Sequence, residues 1–453
     1  MGNIVKKFLT NLIRVLPLRN DIILESHPDF SDNTGAFYEY LLKQGTNDRM
    51  KIHWAIHGRE PVTKELPQSV DTFRLDPKGF RENWKRLKVL YTSRYIVDCN
   101  SFIKKRRKGQ IRVHTSHGMP FKLLLSYSNY EVMGEMDRYL VTSGKEIWRE
   151  IHTKIIGLPE EKLLPLGFPR NDVLVRGCEK TKKWGNYIVW MPTYRQHRNR
   201  SAGELKSKFP YGMPEVYTAE HLETLNEALE HAHKKLLFRP HPAQNLQLFE
   251  ERKMPFIEIA DDAWLREHDV TLYEMVSGAE ALVTDYSTIY YDFLLTGRPV
   301  GLTMGDAEEF FEKFYCPFEN LRQQIKGFYI DSFEQLCAFV SEPENHCNRK
   351  ELEEIKHLCH DYTDDGSAER LYEFMQKVYG FDAKKLGNGD AIDMKELLRY
   401  IKGYKKETIL APLFKLLEAS FELFVPLVMA SIIDNGIIQK NTTLVWHMGL
   451  VLI

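Results

Sequence analysis

The chain has 453 residues, 43% of them hydrophobic and 28% charged, with a formal net charge of −1. Such a length allows two or three domains with separate cores, and the ordinary composition places the chain among globular proteins. The near-neutral charge excludes a broadly basic nucleic-acid binder, and six scattered cysteines without a CxxC pair point to reduced thiols and away from a zinc or disulfide framework.

Residues 1–20 combine Val5-Lys6-Lys7-Phe8-Leu9 with Leu12-Ile13-Arg14-Val15-Leu16, and lack both a small-residue cleavage site and a long apolar core. A short amphipathic helix is expected there, lying either on an anionic membrane surface or on its own domain. Over 21–176, apolar runs at Ile22-Ile23-Leu24, Ile52-His53-Trp54-Ala55-Ile56, Tyr95-Ile96-Val97-Asp98 and Arg138-Tyr139-Leu140-Val141 read as strands. Their alternation with helical patterns, as over 36–44, predicts a parallel sheet of βαβ units. The charged stretch 176–185, with two glycines, is the expected linker.

A second α/β unit is expected over 186–383. Its strands are Tyr187-Ile188-Val189-Trp190-Met191, Lys235-Leu236-Leu237-Phe238, Pro255-Phe256-Ile257-Glu258-Ile259, Ala281-Leu282-Val283-Thr284 and Pro299-Val300-Gly301-Leu302, and helical sequence over 332–379 closes it. Two such units predict two Rossmann-like domains facing a cleft, as in nucleotide-sugar transferases. Neither half carries GxGxxG, which argues against a dinucleotide dehydrogenase. Residues 394–453 differ in character. The run 409–433 is apolar and long enough to cross ~30 Å of hydrocarbon, yet Lys415, Glu418 and Glu422 interrupt it. It is either a membrane segment or an amphipathic helical hairpin packed on the soluble part.

Three motifs lie just past strand ends, where open α/β sheets place ligand loops. In Ser116-His117-Gly118-Met119-Pro120, His117 follows the alternating run 110–115, Gly118 permits close backbone approach, and Pro120 suits a first helical turn. A histidine there is suited to take a proton from a hydroxyl near neutral pH, with Lys122 one turn on to neutralise phosphate. The alternative is a structural hydrogen bond. His114 shares a strand face with Arg112 and is the weaker candidate.

In Phe238-Arg239-Pro240-His241-Pro242, Arg239 offers a planar fork for phosphate oxygens and protonated His241 adds charge-assisted donors. The alternative is a stiff turn with solvated charges. In Thr284-Asp285-Tyr286-Ser287-Thr288, Asp285, Ser287 and Thr288 precede a helix starting near Ile289, which suits helix capping, phosphate binding, or both. Thr193 and Arg195 follow another strand and are candidates for donor or acceptor contacts, with Arg198 and Arg200 downstream in a basic loop. The run Lys104-Lys105-Arg106-Arg107-Lys108 is either solvated surface or a seat for anionic lipid or a polyanionic product. No carboxylate cluster marks a metal site. Asp285 and Asp292 are the acids to consider for Mg²⁺, and a structural role is expected for both.

Taken with Pro28-Asp29-Phe30-Ser31-Asp32-Asn33, Tyr38-Glu39-Tyr40, His117-Gly118-Met119-Pro120-Phe121-Lys122, Gly167-Phe168-Pro169-Arg170-Asn171-Asp172 and Pro192-Thr193-Tyr194-Arg195, the ordered motifs resemble the CDP-glycerol glycerophosphotransferase family. These enzymes build the polyol-phosphate chains of teichoic acids. The resemblance covers about residues 20–380. It implies a GT-B fold, a CDP-glycerol or other CDP-alditol donor, a lipid-linked polymer acceptor, no required cofactor, and work at the cytoplasmic membrane face. By motif, His117 resembles the catalytic base, Arg239 and His241 the diphosphate-binding pair, and Ser287 and Thr288 the phosphate-receiving helix start. Asp32, Asn33, Gly118 and Lys122 fall on the acceptor side. CDP-ribitol, or a CMP- or CDP-activated sugar in a GT-B glycosyltransferase, is the alternative donor. Met119 replaces the family's common Thr, and Leu125 its frequent Gly, so the acceptor loop departs from the pattern.

From Met394-Lys395-Glu396-Leu397-Leu398-Arg399-Tyr400 to Ile432-Ile433-Asp434 the tail resembles the start of an ABC exporter's transmembrane domain. A fused or truncated reading frame is expected, with a genuine membrane anchor as the alternative.

Overall fold

The structure is a computed structural model. It describes residues 13–62, 64–100, 103–118, 123–124, 138–150, 152–153, 158–193, 209–240, 249, 254–311, 314–315, 324–381, 429, 432–433, 438 and 441–452. Residues 1–382 form one compact unit and 383–453 a second.

Within the first unit, β1 (Arg19–Glu25), β2 (Ile52–Ile56), β3 (Val70–Arg74), β4 (Ser93–Asp98), β5 (Ile111–His114), β7 (Tyr139–Thr142) and β8 (Leu163–Pro165) make a parallel sheet ordered β3-β2-β1-β4-β5-β7-β8. The register pairs Ile22 with Ile52 on one side and Tyr95 on the other. The apolar runs are continuous because both faces are covered. Ile22 and Leu24 point into one core, while Ile23 joins Ile13, Ala55 and Ile96 in another.

A second parallel sheet, ordered β11-β10-β9-β12-β13-β15, uses β9 (Tyr187–Met191), β10 (Lys235–Phe238), β11 (Ile257–Ile259), β12 (Ala281–Thr284), β13 (Val300–Leu302) and β15 (Phe328–Tyr329). Val189 faces the core shared with the first sheet; Ile188 and Trp190 face a separate one. In both sheets the strand order reverses beside the first strand, β1 or β9. That places each ligand crevice at the carboxyl ends of β1 and β4, and of β9 and β12.

The halves are tied at several points. The short strand β6 (Leu123–Leu124) pairs antiparallel with β14 (Phe314–Tyr315). The helix Ser367–Tyr379 returns to the first half, where Tyr372 meets Tyr40 at 5.7 Å and Phe374 meets Tyr139 at 5.4 Å. The expected linker 176–185 is not an open tether. Glu179–Trp184 forms a 3₁₀ turn, and Trp184 packs edge-on against Trp264, with ring centroids 5.2 Å apart. An aromatic at its end gave the stretch apolar surface to bury, which its charge had obscured.

In the second unit the helix Thr442–Leu452 leaves Trp446 77% and Leu450 71% exposed. Among the described residues no helix is long and apolar enough to cross a membrane. The expected apolar run 409–433 lies almost wholly outside the described residues, as do residues 1–12 of the amphipathic segment.

Asp172 anchors the returning helix by accepting the backbone N–H groups of Ser367 (2.9 Å) and Ala368 (3.0 Å). Burial pushes its carboxyl up from 3.8 to about 6, against the lowering effect of those hydrogen bonds. The folded chain therefore holds this proton where the unfolded chain has lost it, so stability from Asp172 is full below about pH 4 and fades as pH rises through about 6. Asp172→Asn should flatten that slope, read as the thermal midpoint between pH 4 and 7; an unchanged slope would contradict the account.

Candidate active site

Two loops of the first half build the centre. After β1 the chain turns into the helix Asp32–Lys43, which sets Asp32 in its first turn with φ 58°. After β5, Thr115 donates its N–H to the Asp98 carbonyl, Ser116 adopts φ 59° and Gly118 φ 108°. Asn33 clamps the two together. Its side-chain amide donates to the carbonyls of Thr115 (3.2 Å) and Ser116 (2.9 Å), and its Oδ1 accepts from the Arg170 N–H (3.2 Å). The sequence expectation for Asn33 as an acceptor-side residue thus becomes a bracing role, since the side chain is fully buried.

His117 is half exposed, and its Nδ1 lies 2.8 Å from Asp32 Oδ2. Burial raises the Asp32 carboxyl, but Arg170 and then His117 outweigh it and hold that carboxyl well below the usual carboxylate range. Asp32 is therefore an ionised acceptor, and the network assigns the imidazole proton to Nδ1. The other nitrogen, Nε2, lies 2.6 Å from Asn100 Nδ2. Asn100 Oδ1 already accepts the His27 N–H at 2.7 Å, which orients the amide so that its NH₂ donates to His117. His117 thus presents an unprotonated Nε2 toward solvent, occupied by a neutral amide donor. That is the arrangement of a base oriented by a carboxylate. His114, by contrast, is buried and pairs with Asp98, as does Arg112.

Arg170 joins this centre to the second half. Its Nη1 donates to Asp32 Oδ1 at 2.6 Å, and its Nη2 donates to the His117 carbonyl at 2.8 Å and to Asp292 Oδ2 at 2.7 Å. Asp292 also accepts from Tyr273 Oη (2.6 Å) and Asn171 Nδ2 (2.8 Å). Arg170 is 6% and Asp292 1% exposed, so this is a buried pair whose every oxygen is engaged. Removing one partner of such a pair costs about 3–5 kcal/mol. Composition and strand pattern do not single out Arg170; its place in Gly167-Phe168-Pro169-Arg170-Asn171-Asp172 was the available signal.

On the second half, Asp285 is wholly buried and accepts the N–H groups of Thr193 (2.8 Å) and Tyr286 (2.6 Å). It joins the loops after β9 and β12. Thr288 starts the short helix Ile289–Phe293 without a side-chain cap, and its Oγ1 lies 3.5 Å from the His117 carbonyl. The N–H groups of Tyr290 and Tyr291 turn back onto the carbonyls of Ser287 and Thr288. Arg239 is held by the Ala260 carbonyl (2.9 Å) and by an ion pair with Asp262, so its fork is committed in this structure. Lys122, Arg195 and His241, with Met119 and Leu125, lie outside the described residues.

Among the described residues, one set of three potential metal-ligand atoms converges: those of Asp32, Cys99 and His117, all within 4.8 Å of one another. Their hydrogens are already placed, the Cys99 thiol on the Ser116 carbonyl (2.9 Å) and His117 Nδ1 on Asp32. Burial also pushes the Cys99 thiol well up, away from the thiolate that a metal requires. The set is a hydrogen-bonded one. Both Asp292 oxygens accept hydrogen bonds, and Asp285 is buried.

Gly118 is where the halves meet. A Cβ there would lie 2.6 Å from Arg170 Nη2 and 3.3 Å from Thr288, on a backbone at φ 108° that side chains avoid. Gly118→Ala should displace His117 from Arg170 and Thr288 and lower turnover about 10²-fold, with a smaller change in thermal midpoint; near-normal turnover would show that this approach is dispensable.

A family profile described as CDP-Glycerol:Poly(glycerophosphate) glycerophosphotransferase matches residues 8–377. The teichoic acid ribitol-phosphate polymerase TarL of Staphylococcus aureus (strain NCTC 8325 / PS 47) is 22% identical over 77% of this chain, which spans 60% of TarL's own length. A teichoic acid poly(glycerol phosphate) polymerase of Bacillus spizizenii (strain ATCC 23059 / NRRL B-14472 / W23) is 27% identical over 72% of this chain and 81% of that protein. The solved structure of the wall teichoic acid polymerase TagF superposes with a TM-score of 0.62 at 18% identity, covering 84% of this chain and 96% of that one. That likeness extends to the fold, a GT-B-like pair of parallel α/β sheets. With the profile covering most of its length, the chain belongs to the CDP-glycerol:poly(glycerophosphate) glycerophosphotransferase family.

Proposed function

We propose that this chain transfers an alditol phosphate unit from CDP-glycerol to a hydroxyl of a membrane-linked teichoic-acid-type polymer and releases CMP. The observation that carries the proposal is His117, held by Asp32 on the first half and within 3.5 Å, through its carbonyl, of Thr288 on the second. A base after β5 would then lie beside a phosphate loop after β12.

In this reading the acceptor hydroxyl displaces the Asn100 amide from His117 Nε2 and gives up its proton there. Its oxygen attacks the β-phosphorus of the donor. The bond from that phosphorus to the bridging oxygen breaks, and the oxygen leaves with CMP. Asp32 stabilises the imidazolium formed. The Ser287 and Thr288 hydroxyls receive the donor phosphates, with Thr193, Arg195 and His241 nearby in sequence order on the same half. Arg239 exchanges Asp262 for phosphate oxygens when donor arrives. General-base help supplies about 10²–10⁴-fold, and positioning and charge must supply the rest. Lys122 follows His117 on the acceptor side. No metal ion is needed in this scheme.

Relatives named as ribitol-phosphate polymerases support CDP-ribitol as a second donor reading. The chain is placed at the cytoplasmic membrane face. Exposed Lys104, Arg106 and Lys108 lie in the run whose Arg107 holds the Leu16 carbonyl at 2.5 Å, next to Val15, which is 78% exposed. Basic side chains beside exposed apolar ones suit an anionic lipid surface. The domains are taken as 21–176 on the acceptor side and 186–383 on the donor side, and the tail 394–453 is assigned no catalytic part.

CMP release should be measured with CDP-glycerol, CDP-ribitol and a CMP-sugar, each with a lipid-linked acceptor. Release with an alditol donor is expected, and release with the CMP-sugar alone would overturn the proposal. His117→Ala should abolish turnover while donor binding survives; retained turnover would remove His117 as the base.

A further inference from the structure

Resting on the reading of His117 as the base, we propose that Asp292 and Arg170 are positioning residues through which the second half sets the proton affinity of that base. Asp292 sits in the helix Ile289–Phe293, directly after Ser287 and Thr288. Among the described residues its hydrogen-bond partners are Arg170, Asn171 and Tyr273, and His117 is not one of them. Its route is Arg170, one guanidinium that bonds Asp292, Asp32 and the His117 carbonyl at once.

The charges explain why this matters. Two carboxylates against one guanidinium leave one surplus negative charge, and a protonated His117 cancels it. The node is therefore neutral when the base has taken its proton, the state reached as the acceptor oxygen attacks. Because Arg170 and Asp292 are buried, their charges act in a medium that screens them far less than water. With Asp292 neutralised, the whole guanidinium charge bears on Asp32 and His117, and the imidazolium loses support.

The other groups facing His117 leave this account intact. From the helix start there is Asp32; from the end of β4 there are Cys99, 3.4 Å from Nδ1, and the neutral Asn100. Behind Asn100, the Glu25 carboxylate accepts the Asn100 N–H (3.1 Å) and binds His57 Nε2 (2.9 Å), and it is the same in every variant below. Thr288 adds only a hydroxyl. Tyr273 and Asn171, which share the oxygens of Asp292, are neutral and supply the control.

The test uses the full chain and two readouts, the pH profile of kcat for CMP release and the pH midpoint of the His117 ring resonances by NMR, assigned with His117→Gln. Asp292→Asn should move both the acid limb and the ring midpoint to lower pH by about one unit and lower kcat about tenfold, with KM for donor within about twofold. Tyr273→Phe, which removes a hydrogen bond and no charge, should leave both midpoints in place. If Asp292→Asn does not fold, the charge-balanced pair Asp292→Asn with Arg170→Gln replaces it, and its ring midpoint should match the parent. An unmoved ring midpoint in folded Asp292→Asn, or a midpoint displaced by about a unit in the balanced pair, overturns the proposal. If His117→Ala abolishes turnover and these midpoints fail, only the positioning role falls. If His117→Ala remains active, the base assignment falls whatever the midpoints show.

Discussion

One guanidinium organises this molecule. Arg170 is buried between Asp32 of the first half and Asp292 of the second, and the same nitrogen that meets Asp292 also holds the carbonyl of His117. Buried ion pairs of this kind often add little net stability, because desolvation offsets the attraction. Their value lies in specificity, since a planar fork with fixed directions permits one arrangement of the groups it joins. Around Arg170 those groups are the Asp32 carboxylate, the loop that carries His117, and the helix that follows Thr288. Gly118 follows from this, because only a residue without Cβ lets the loop pass so close to Arg170 and Thr288.

The two sheets supply rigid supports for that junction. Each carries candidate loops at the carboxyl ends of its strands: Asp32 after β1 and His117 after β5 in the first sheet, Thr193 after β9 and Thr288 after β12 in the second. The first half contributes His117, whose Nδ1 meets Asp32 and whose Nε2 meets the Asn100 amide. The second contributes loops stiffened from beneath by Asp285, which spends its carboxylate on the N–H groups of Thr193 and Tyr286. Arg239 pairs with Asp262, whose side chain is 50% exposed, and also holds the Ala260 carbonyl.

Much of the fold was legible. Long apolar runs such as Ile52–Ile56 and Tyr187–Met191 announced buried parallel strands, since both faces of such a strand need cover. Strands such as Val70–Arg74 and Leu163–Pro165 were not foreseen. The first is half polar because it edges the sheet, and the second is too short to show a period. The stretch 176–185 read as a linker because charge dominates it, although Trp184 decides its packing. The loop that passes close to Arg170 and Thr288 was singled out by the Gly and Pro that follow His117. Asp285 and Asn33 were placed among ligand contacts, whereas the structure makes them braces; residue type alone does not say whether a polar side chain faces a cleft or a backbone N–H.

What the sequence by itself determined is the alternation of strands and helices, the order of the motifs, and the family. Periodicity encodes which face a residue turns, and short motifs encode which loop carries it. Only the tertiary structure decided the partners. Asp32 reaches His117 across 85 positions of chain and Arg170 reaches Asp292 across 122. Neither separation has a local signature, because such contacts are set by where the strand order reverses and how the two sheets share a core.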